Sequence, residues 1–192
     1  ELTFKMGMGI VNAIKSIKPD IKVVVGGSHA MTSPESVINE KNVDIVCIGE
    51  AENAFIELCN KLKNEEDYTG IFNLWIKKDG KIYKNKLGNL KNLDDIPYQD
   101  WEIFDKRRIN QPMSGTIGRT GCFELTRGCV FSCTFCINEF LNNVHNHKSY
   151  REKSIPKFID EVKYFKDKYQ IEYVYILAEM FLPTTKQRIR DF

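Results

Sequence analysis

One short stretch decides how the rest of the sequence is interpreted: Thr126-Arg127-Gly128-Cys129-Val130-Phe131-Ser132-Cys133-Thr134-Phe135-Cys136. Its cysteines are spaced C-x3-C-x2-C and are three of the six in a 192-residue chain. Iron–sulfur clusters are held by cysteine thiolates, and this close spacing lets one loop wrap around a cluster. Three thiolates on a four-iron cluster leave one iron open to another ligand. The sequence therefore predicts a reactive [4Fe-4S] site on Cys129, Cys133 and Cys136.

The cysteine loop lies between a predicted strand and a predicted helix. Residues 122–126 form the strand, and residues 155–169 form the helix, because their apolar side chains recur at helical spacing after Ser154, a suitable N-cap. Residues 172–177 are a further apolar run of strand type. Strands that alternate with helices are typical of an α/β fold with parallel strands. The loop would then leave the carboxyl end of a strand, where such folds bind ligands.

A second α/β pattern fills the first third of the chain. Helices are predicted over residues 5–17, 33–39 and 51–63, and strands over residues 21–25 and 43–48. Near-continuous apolar strands are typical of a parallel sheet that is covered by helices on both faces. Residues 1–64 are therefore predicted to be part of a Rossmann-like, doubly wound domain.

Small and polar residues follow both predicted strands of this domain: Gly26, Gly27 and His29 after the first, Gly49 and Glu50 after the second. Glycine lets the backbone approach a bulky ligand closely, and a histidine can hydrogen-bond a ligand amide or phosphate. These five residues are therefore candidate ligand contacts. Structural alternatives stay open for them, because the glycines suit a turn, His29 suits an ordinary loop, and Glu50 suits a helix N-terminus.

The middle of the chain interrupts the α/β pattern. Residues 71–77 and 81–86 flank Asp79-Gly80, which is a strong signal for a β-hairpin. An irregular polar stretch then runs to about residue 120. The sequence therefore predicts three parts, which are residues 1–64 as the first domain, residues 65–120 as a connector with a hairpin, and residues 121–192 as a second α/β region.

The cysteine loop resembles that of the radical S-adenosylmethionine superfamily in its spacing, in Phe135 before the last cysteine, and in its place after a strand. The resemblance implies that residues 121–192 begin a partial TIM-type barrel. It also implies that the open iron of a [4Fe-4S] cluster binds S-adenosylmethionine, whose C–S bond is reductively cleaved to a 5′-deoxyadenosyl radical. Phe135 would lie near the adenine. Glu179, at the end of the second barrel strand, would contact S-adenosylmethionine.

The upstream region is similar to the cobalamin-binding domain that precedes many radical enzymes of this superfamily. The similarity lies in residues 23–30, 34–35, 43–52, 93–97 and 126–129. It implies cobalamin as a further cofactor and methyl transfer to a poorly activated centre as the reaction. A small molecule or peptide is the expected substrate. A flavodoxin or ferredoxin is the expected electron donor.

Two alternatives stay open. One is a radical enzyme without cobalamin, which forms a ring or rearranges its substrate. The other is a non-catalytic zinc or iron–sulfur module, in which Cys122 or His145 supplies the fourth ligand. Cys47 and Cys59 are predicted to be small core residues rather than ligands.

Composition excludes several other classes of protein. The apolar fraction of 42% is that of a globular chain, and the net charge of +2 predicts no nucleic-acid partner. No apolar run reaches the roughly 18 residues of a membrane span, so no membrane partner is expected. Without a secretory signal, a reducing, cytoplasmic location is expected. The chain begins at Glu1 and holds two barrel strands, so we expect a piece of a longer enzyme that is inactive alone.

Overall fold

The chain divides into two units, Glu1–Leu90 and Lys91–Phe192. The computed structural model describes residues 2–113, 115–146, 149–181 and 185–191. Within these residues each unit holds one four-stranded sheet with helices packed against it. The predicted α/β class is therefore confirmed.

The first unit alternates helices and strands and ends in a hairpin. Its elements are α1 (Leu2–Ile17), β1 (Val24–Val25), α2 (Ser28–Thr32), α3 (Pro34–Ile38), β2 (Ile45–Cys47), α4 (Glu52–Lys63), β3 (Leu74–Lys78) and β4 (Lys81–Lys84). The strand order is β1-β2-β3-β4. Strands β1 and β2 are parallel, whereas β3 is antiparallel to both of its neighbours.

The hairpin corrects two predictions about this region. Asp79 and Gly80 form its turn at positive φ, as the Asp-Gly signal indicates. The hairpin does not belong to a connector, however, because Ile76 of β3 pairs with Ile45 of β2 and extends the first sheet. The first unit therefore ends near residue 90 rather than 64, and its sheet is mixed rather than wholly parallel.

Strand β2 is buried on both faces, which explains its continuous apolar sequence. On one face, Ile45 and Cys47 pack with Ala54 and Leu58 of α4. On the other face, Val46 packs with the cluster formed by α2 and α3. Because β1 and β2 are parallel neighbours, their carboxyl ends lie side by side at one edge of the sheet.

The second unit is built around one long strand, β6. Its elements are β5 (Asn110–Met113), β6 (Thr116–Arg127), α5 (Ile137–Val144), β7 (Arg151–Glu152), α6 (Ile155–Tyr169), β8 (Tyr173–Ala178) and α7 (Lys186–Asp191). Strands β5 and β7 pair antiparallel with β6, and β8 pairs parallel with it. Short 3-10 turns precede β5 at Leu93–Asp95, Trp101–Ile103 and Lys106–Ile109.

Strand β6 begins within the stretch that was predicted as connector. Gly118 and Gly121 weaken the strand signal there, because glycine disfavours strand interiors. The structure explains Gly121, since a Cβ atom on it would lie 2.4 Å from the Phe123 ring. The predicted strand 122–126 is therefore the second half of a longer one.

Helix α6 covers one face of β6 and β8. Phe123 and Leu125 of β6 pack there with Phe158 and Phe165 of α6 in a buried cluster. The parallel pair β6–β8 is what a barrel would begin with, and the barrel itself stays a prediction. In the part of the chain that the structure describes, no helix combines the length and apolarity needed to cross a membrane.

Candidate functional site

The cysteine loop leaves the carboxyl end of β6 through Gly128. This residue is buried and has φ +80°, a left-handed conformation that favours glycine. A Cβ atom here would lie 2.4 Å from the Ser149 carbonyl oxygen, so another side chain would collide with the backbone. Gly128 therefore sets the direction in which the loop departs from the sheet.

The three cysteines differ in exposure. Cys129 and Cys136 are half-buried, and Cys133 is exposed. The backbone N–H of Cys136 donates to the Cys133 carbonyl at 2.9 Å, which closes a turn between them. Among the described residues, no three His, Cys, Asp or Glu side chains are grouped around one metal position. Ligation by these cysteines therefore stays a prediction.

The loop has features that suit a thiolate–metal site. The Phe131 N–H donates to Cys129 Sγ at 3.4 Å, an interaction that favours negative charge on the sulfur. Helix α5 begins directly after Cys136, so its positive N-terminal end faces that residue. The three cysteine thiols, the N–H bond to Cys129 Sγ and the helix N-terminus beside Cys136 therefore fit an iron–sulfur cluster.

Of the two proposed fourth zinc ligands, Cys122 lies in a strand and His145 lies at the end of α5. Cys122 is exposed within β6, where it pairs with Tyr175 of β8. It lies five residues before the end of the strand at Arg127, about 17 Å at strand rise. His145 follows α5 and donates its N–H to the Leu141 carbonyl at 3.0 Å. The position of Cys122 disfavours it as a ligand to the loop.

Glu179 lies in a cavity of about 300 Å³ at the carboxyl ends of β6 and β8. The cavity is lined by Glu124, Thr126, Arg127, Leu177, Ala178 and Glu179. Arg127 donates to both Glu124 carboxylate oxygens, at 2.8 and 2.9 Å. Thr126 Oγ1 donates to the Met180 carbonyl at 3.0 Å, which joins the two strand ends. A mixed-charge cavity therefore adjoins the start of the cysteine loop.

Phe135 is 92% exposed, more than any other large apolar side chain among the described residues. It lies between Cys133 and Cys136, and Val130 and Phe131 of the same loop are also exposed. Exposed aromatic rings in a loop of this kind are available to stack on a planar ligand. The position is compatible with the predicted contact to adenine, which stays a prediction.

Behind Cys129, Tyr150 donates to Glu152 Oε1 at 2.6 Å, and Arg188 pairs with Glu152 at 3.2 Å. Burial, together with the Glu152 hydrogen bond and the nearby Cys129, raises the pKa of the Tyr150 phenol. Tyr150 therefore remains a neutral hydrogen-bond donor through the physiological range.

In the first unit, Gly26 and Gly27 follow β1 at the edge where Gly49 and Glu50 follow β2. Gly27 has φ +91°, and none of the described atoms lies within 4 Å of a Cβ built on it. A Cβ on Gly26 would make only an ordinary 3.5 Å contact with Cys47. The edge is therefore open to a large ligand at Gly27.

His29 is turned toward α1. Its ring lies 4.4 Å from that of Phe4, and both line a cavity of about 660 Å³ with Lys5, Met8, Gly9, Asn12 and Glu40. The structure thus gives His29 a packing contact as well as access to a cavity. Its predicted role as a cofactor contact is untested.

Gly49 and Glu50 are held by Asn73 of the hairpin, a residue that sequence reasoning missed. Asn73 Nδ2 donates to the Glu50 carbonyl at 2.9 Å, and Asn73 Oδ1 accepts from the Gly88 N–H at 2.7 Å. A Cβ on Gly49 would lie 2.7 Å from Asn73 Oδ1, so glycine is required. The glycine at position 49 is therefore explained by its close packing against Asn73, independently of any ligand.

Cys47 is a core residue, as predicted. It is buried beside α4, and its thiol contacts the Gly49 carbonyl at 3.3 Å. Burial raises the pKa of this thiol. Cys59, in contrast, is exposed on α4, so the prediction that it lies in the core is wrong. Cys59 lies beside the buried face of α4, whose Ala54 and Leu58 supply the core contacts.

The chain is similar in sequence to a cobalamin-binding domain family and to several methyltransferases. Residues 3–59 match the family model described as the B12 binding domain. The chain is 28% identical over 184 residues to an uncharacterized methyltransferase of Pyrococcus horikoshii, covering 94% of this chain and 38% of the relative. It is 26% identical over 144 residues to the cobalamin-dependent radical SAM methyltransferase TokK of Streptomyces tokunonensis, covering 69% of this chain and 20% of that protein.

A solved structure shows the same fold. The cobalamin-dependent S-adenosylmethionine radical enzyme OxsB, with aqua-cobalamin and S-adenosylmethionine bound, aligns with a TM-score of 0.66 and 22% identity. The alignment covers 99% of this chain and 26% of OxsB. The chain spans between a fifth and two fifths of the length of these curated relatives. The predicted resemblance is therefore confirmed: this chain is similar in sequence and in fold to cobalamin-dependent radical S-adenosylmethionine enzymes.

Proposed function

We propose that this chain is part of an enzyme that binds a [4Fe-4S] cluster, S-adenosylmethionine and cobalamin, and that methylates a poorly activated centre of a small molecule or peptide. The observation that carries the proposal is the cysteine loop itself. Three cysteines at C-x3-C-x2-C spacing follow β6 directly, and the start of their loop adjoins a cavity at the ends of two parallel strands that is lined in part by charged side chains. Ligands of α/β folds bind at such strand ends.

Cys129, Cys133 and Cys136 would hold three irons of the cluster, and the fourth iron would be open. Glu179, in the adjoining cavity, offers a carboxylate to the amino group of S-adenosylmethionine, and Arg127 stays paired with Glu124. Phe135 offers an exposed ring to the adenine. When bound, the cluster and S-adenosylmethionine supply a one-electron cleavage, and cobalamin supplies the methyl group. A flavodoxin or ferredoxin would deliver the electron.

The first unit would hold cobalamin at the edge formed by the ends of β1 and β2. The match to the B12 binding domain covers both strands. Gly27 leaves the backbone accessible there, and Asn73 holds Gly49 and Glu50 in a defined conformation. A rigid, open edge suits a broad, flat ligand because little order has to be gained on binding.

The test uses the full-length protein that contains this chain, reconstituted anaerobically with iron and sulfide. We expect a four-iron electron paramagnetic resonance signal after reduction, and a changed signal after S-adenosylmethionine is added. Substitution of any one loop cysteine by serine should remove the signal, whereas Cys59→Ser should keep it. Bound zinc together with no iron–sulfur signal would contradict the radical mechanism and indicate a structural metal module.

Cobalamin and methyl transfer are tested separately. We expect cobalamin to co-elute with the full-length protein, and S-adenosylhomocysteine to form only when cobalamin is present. Formation of 5′-deoxyadenosine without S-adenosylhomocysteine would instead indicate ring formation or rearrangement. Failure to retain cobalamin under conditions that retain the cluster would favour the radical enzyme without cobalamin.

A further inference from the structure

A buried polar network lies directly behind the cysteine loop. Asn142, on α5, is 3% exposed, and Ser149 is 4% exposed. Asn142 Nδ2 donates to the Cys129 carbonyl at 2.9 Å and contacts the Phe131 carbonyl at 3.4 Å. Ser149 Oγ donates to Asn142 Oδ1. One side chain thus joins the first turn of the loop to the helix that follows the loop.

The orientation of the Asn142 amide follows from its partners. Backbone carbonyl oxygens only accept hydrogen bonds, so the NH₂ group must face Cys129 and Phe131. The amide oxygen then faces the Ser149 hydroxyl, which can donate. No other neutral side chain of this size offers two donors on one side and an acceptor on the other.

Ser149 is itself held in place by the sheet. Arg151, two residues later, pairs with Arg127 in the β6–β7 ladder, and its Nε donates to the Ser149 carbonyl at 3.2 Å. That carbonyl lies over Gly128, where any Cβ would collide with it. The network therefore transfers the rigidity of the sheet to the loop.

The hydrogen bonds of Asn142 affect the Cys129 sulfur through the turn between Cys129 and Phe131. The Phe131 N–H donates to Cys129 Sγ, and the carbonyls on either side of this turn are those that Asn142 binds. If the turn relaxes, this N–H no longer points at the sulfur. Hydrogen bonds to cluster sulfurs help to set the stability and reduction potential of iron–sulfur sites.

We propose that Asn142 is a positioning residue, which fixes the Cys129–Phe131 turn so that the Cys129 thiolate is aimed at iron and receives the Phe131 N–H bond. The inference rests on the proposed iron–sulfur function. It assigns to α5 a role that could not be predicted from the spacing of the cysteines. Partners behind metal ligands typically contribute about 10- to 100-fold in metal affinity, and Asn142 should fall in this range.

The matched variants are Asn142→Asp and Asn143→Asp in the full-length protein. Each makes the same chemical change at neighbouring positions of α5, but Asn142 is buried and Asn143 is exposed. Aspartate at 142 keeps the size and an acceptor for Ser149 but loses both donors. Circular dichroism of the metal-free proteins shows whether they fold. Ser149→Ala is a milder variant, which keeps the Asn142 donors and removes the hydroxyl that orients them.

The readouts are iron retention against a chelator, the resonance spectrum of the reduced cluster, and its reduction potential. We expect Asn142→Asp to lose iron about 10- to 100-fold more readily, with an altered spectrum and a more negative potential. Ser149→Ala should shift all three readouts less, in the same direction. Asn143→Asp should keep the spectrum and potential of the parent protein, because the exposed Asn143 amide bonds the Glu139 side chain rather than the cysteine loop.

Three outcomes would overturn the proposal. They are equal behaviour of Asn142→Asp and the parent, equal behaviour of the two aspartate variants, or iron loss without any change in spectrum and potential. Should Asn142→Asp not fold, an unchanged spectrum and potential in Ser149→Ala would overturn it. If the parent protein itself binds no iron–sulfur cluster, the proposed function fails rather than this inference.

Discussion

Both units of this protein place a loop at the end of a strand and hold it with a buried asparagine, but they do so differently. In the first unit, Asn73 binds the Glu50 carbonyl through its side chain and also accepts the Ile48 N–H through its backbone carbonyl, at 2.8 Å. In the second unit, Asn142 reaches Cys129 and Phe131 through its side chain alone, from a helix that begins at the end of the loop.

The two loops therefore differ in how far the protein alone fixes their shape. The Gly49–Glu50 edge directly follows the paired strand β2, and the Ile48 N–H also bonds the Asn73 backbone, so backbone pairing supports its shape. The cysteine loop depends on side chains, and an iron–sulfur cluster would bring the thiolates together. The first edge should therefore tolerate the loss of one side-chain contact, whereas the second unit should respond strongly to such losses.

The largest expected effect concerns the buried ion pair between Lys153 and Glu161, 2.5 Å apart, which joins the residue after β7 to α6. Lys153→Met should lower the free energy of unfolding by about 4 kcal/mol, because it leaves the Glu161 carboxylate buried without a countercharge. The double variant with Glu161→Leu should recover most of this loss. Chemical denaturation of the metal-free protein measures both.

The exposed pair of Lys168 with Glu102, 3.0 Å apart, is the control. Lys168→Met should leave the stability almost unchanged, because exposed pairs are screened by solvent. Equal losses from the two lysine variants would show that burial does not set the contribution of these pairs.

The next prediction compares the loss of stability when alanine replaces each of two glycines at positive φ, Gly128 and Gly27. Gly128→Ala should cost about 3 kcal/mol, because left-handed strain adds to a collision with the Ser149 carbonyl. Gly27→Ala should cost about 1 kcal/mol, since strain acts there without a collision. Denaturation midpoints of the two variants test the comparison, and a reversed order would contradict the proposed close approach at Gly128.

A smaller effect is expected at Asn73. Asn73→Asp removes the donor to the Glu50 carbonyl and should cost about 2 kcal/mol, as expected for a half-buried acceptor that loses its partner. Asn60→Asp, on the exposed face of α4, should be close to neutral. Thermal unfolding compares the two variants. A loss at Asn73 as large as that of Lys153→Met would contradict the view that backbone pairing dominates this edge.

The smallest effect concerns reactivity rather than stability. Burial raises the pKa of Cys47, so at neutral pH it carries less thiolate than an ordinary cysteine and is also shielded. We expect iodoacetamide to label the exposed Cys59 and Cys122 in the native protein and Cys47 only after unfolding. Peptide mass spectrometry identifies the labelled sites. Rapid native labelling of Cys47 would show that the β2 edge opens readily.

Local signals in the sequence predicted much of the fold. The β-branched runs around Val24 and Ile45 lie in strands, and Asp79-Gly80 forms the hairpin turn. Ser154 caps α6 through its hydroxyl, which accepts the Lys157 N–H at 3.3 Å. Each signal acts within a few residues of the chain, so it can be recognised without knowledge of the tertiary structure.

The errors arose where distant residues decide. The hairpin joins the first sheet because β3 has β2 as a backbone partner about 30 residues earlier. The first half of β6 was missed because Gly121 weakens the strand pattern while making room for Phe123. Cys59 was assigned to the core because helical spacing alone does not tell which edge of an apolar face turns outward.

The three-thiolate spacing, the longer helices and apolar strands, and the glycines that mark the strand ends could be recognised from the sequence alone, because these are properties of neighbouring residues. Tertiary structure decided what holds the two strand-end loops. Asn73 lies 23 residues from Glu50, and Asn142 lies 13 residues from Cys129. An asparagine side chain is chemically the same whether it is exposed or hydrogen-bonds a backbone carbonyl. Only the folded chain therefore distinguishes Asn142 from its neighbour Asn143.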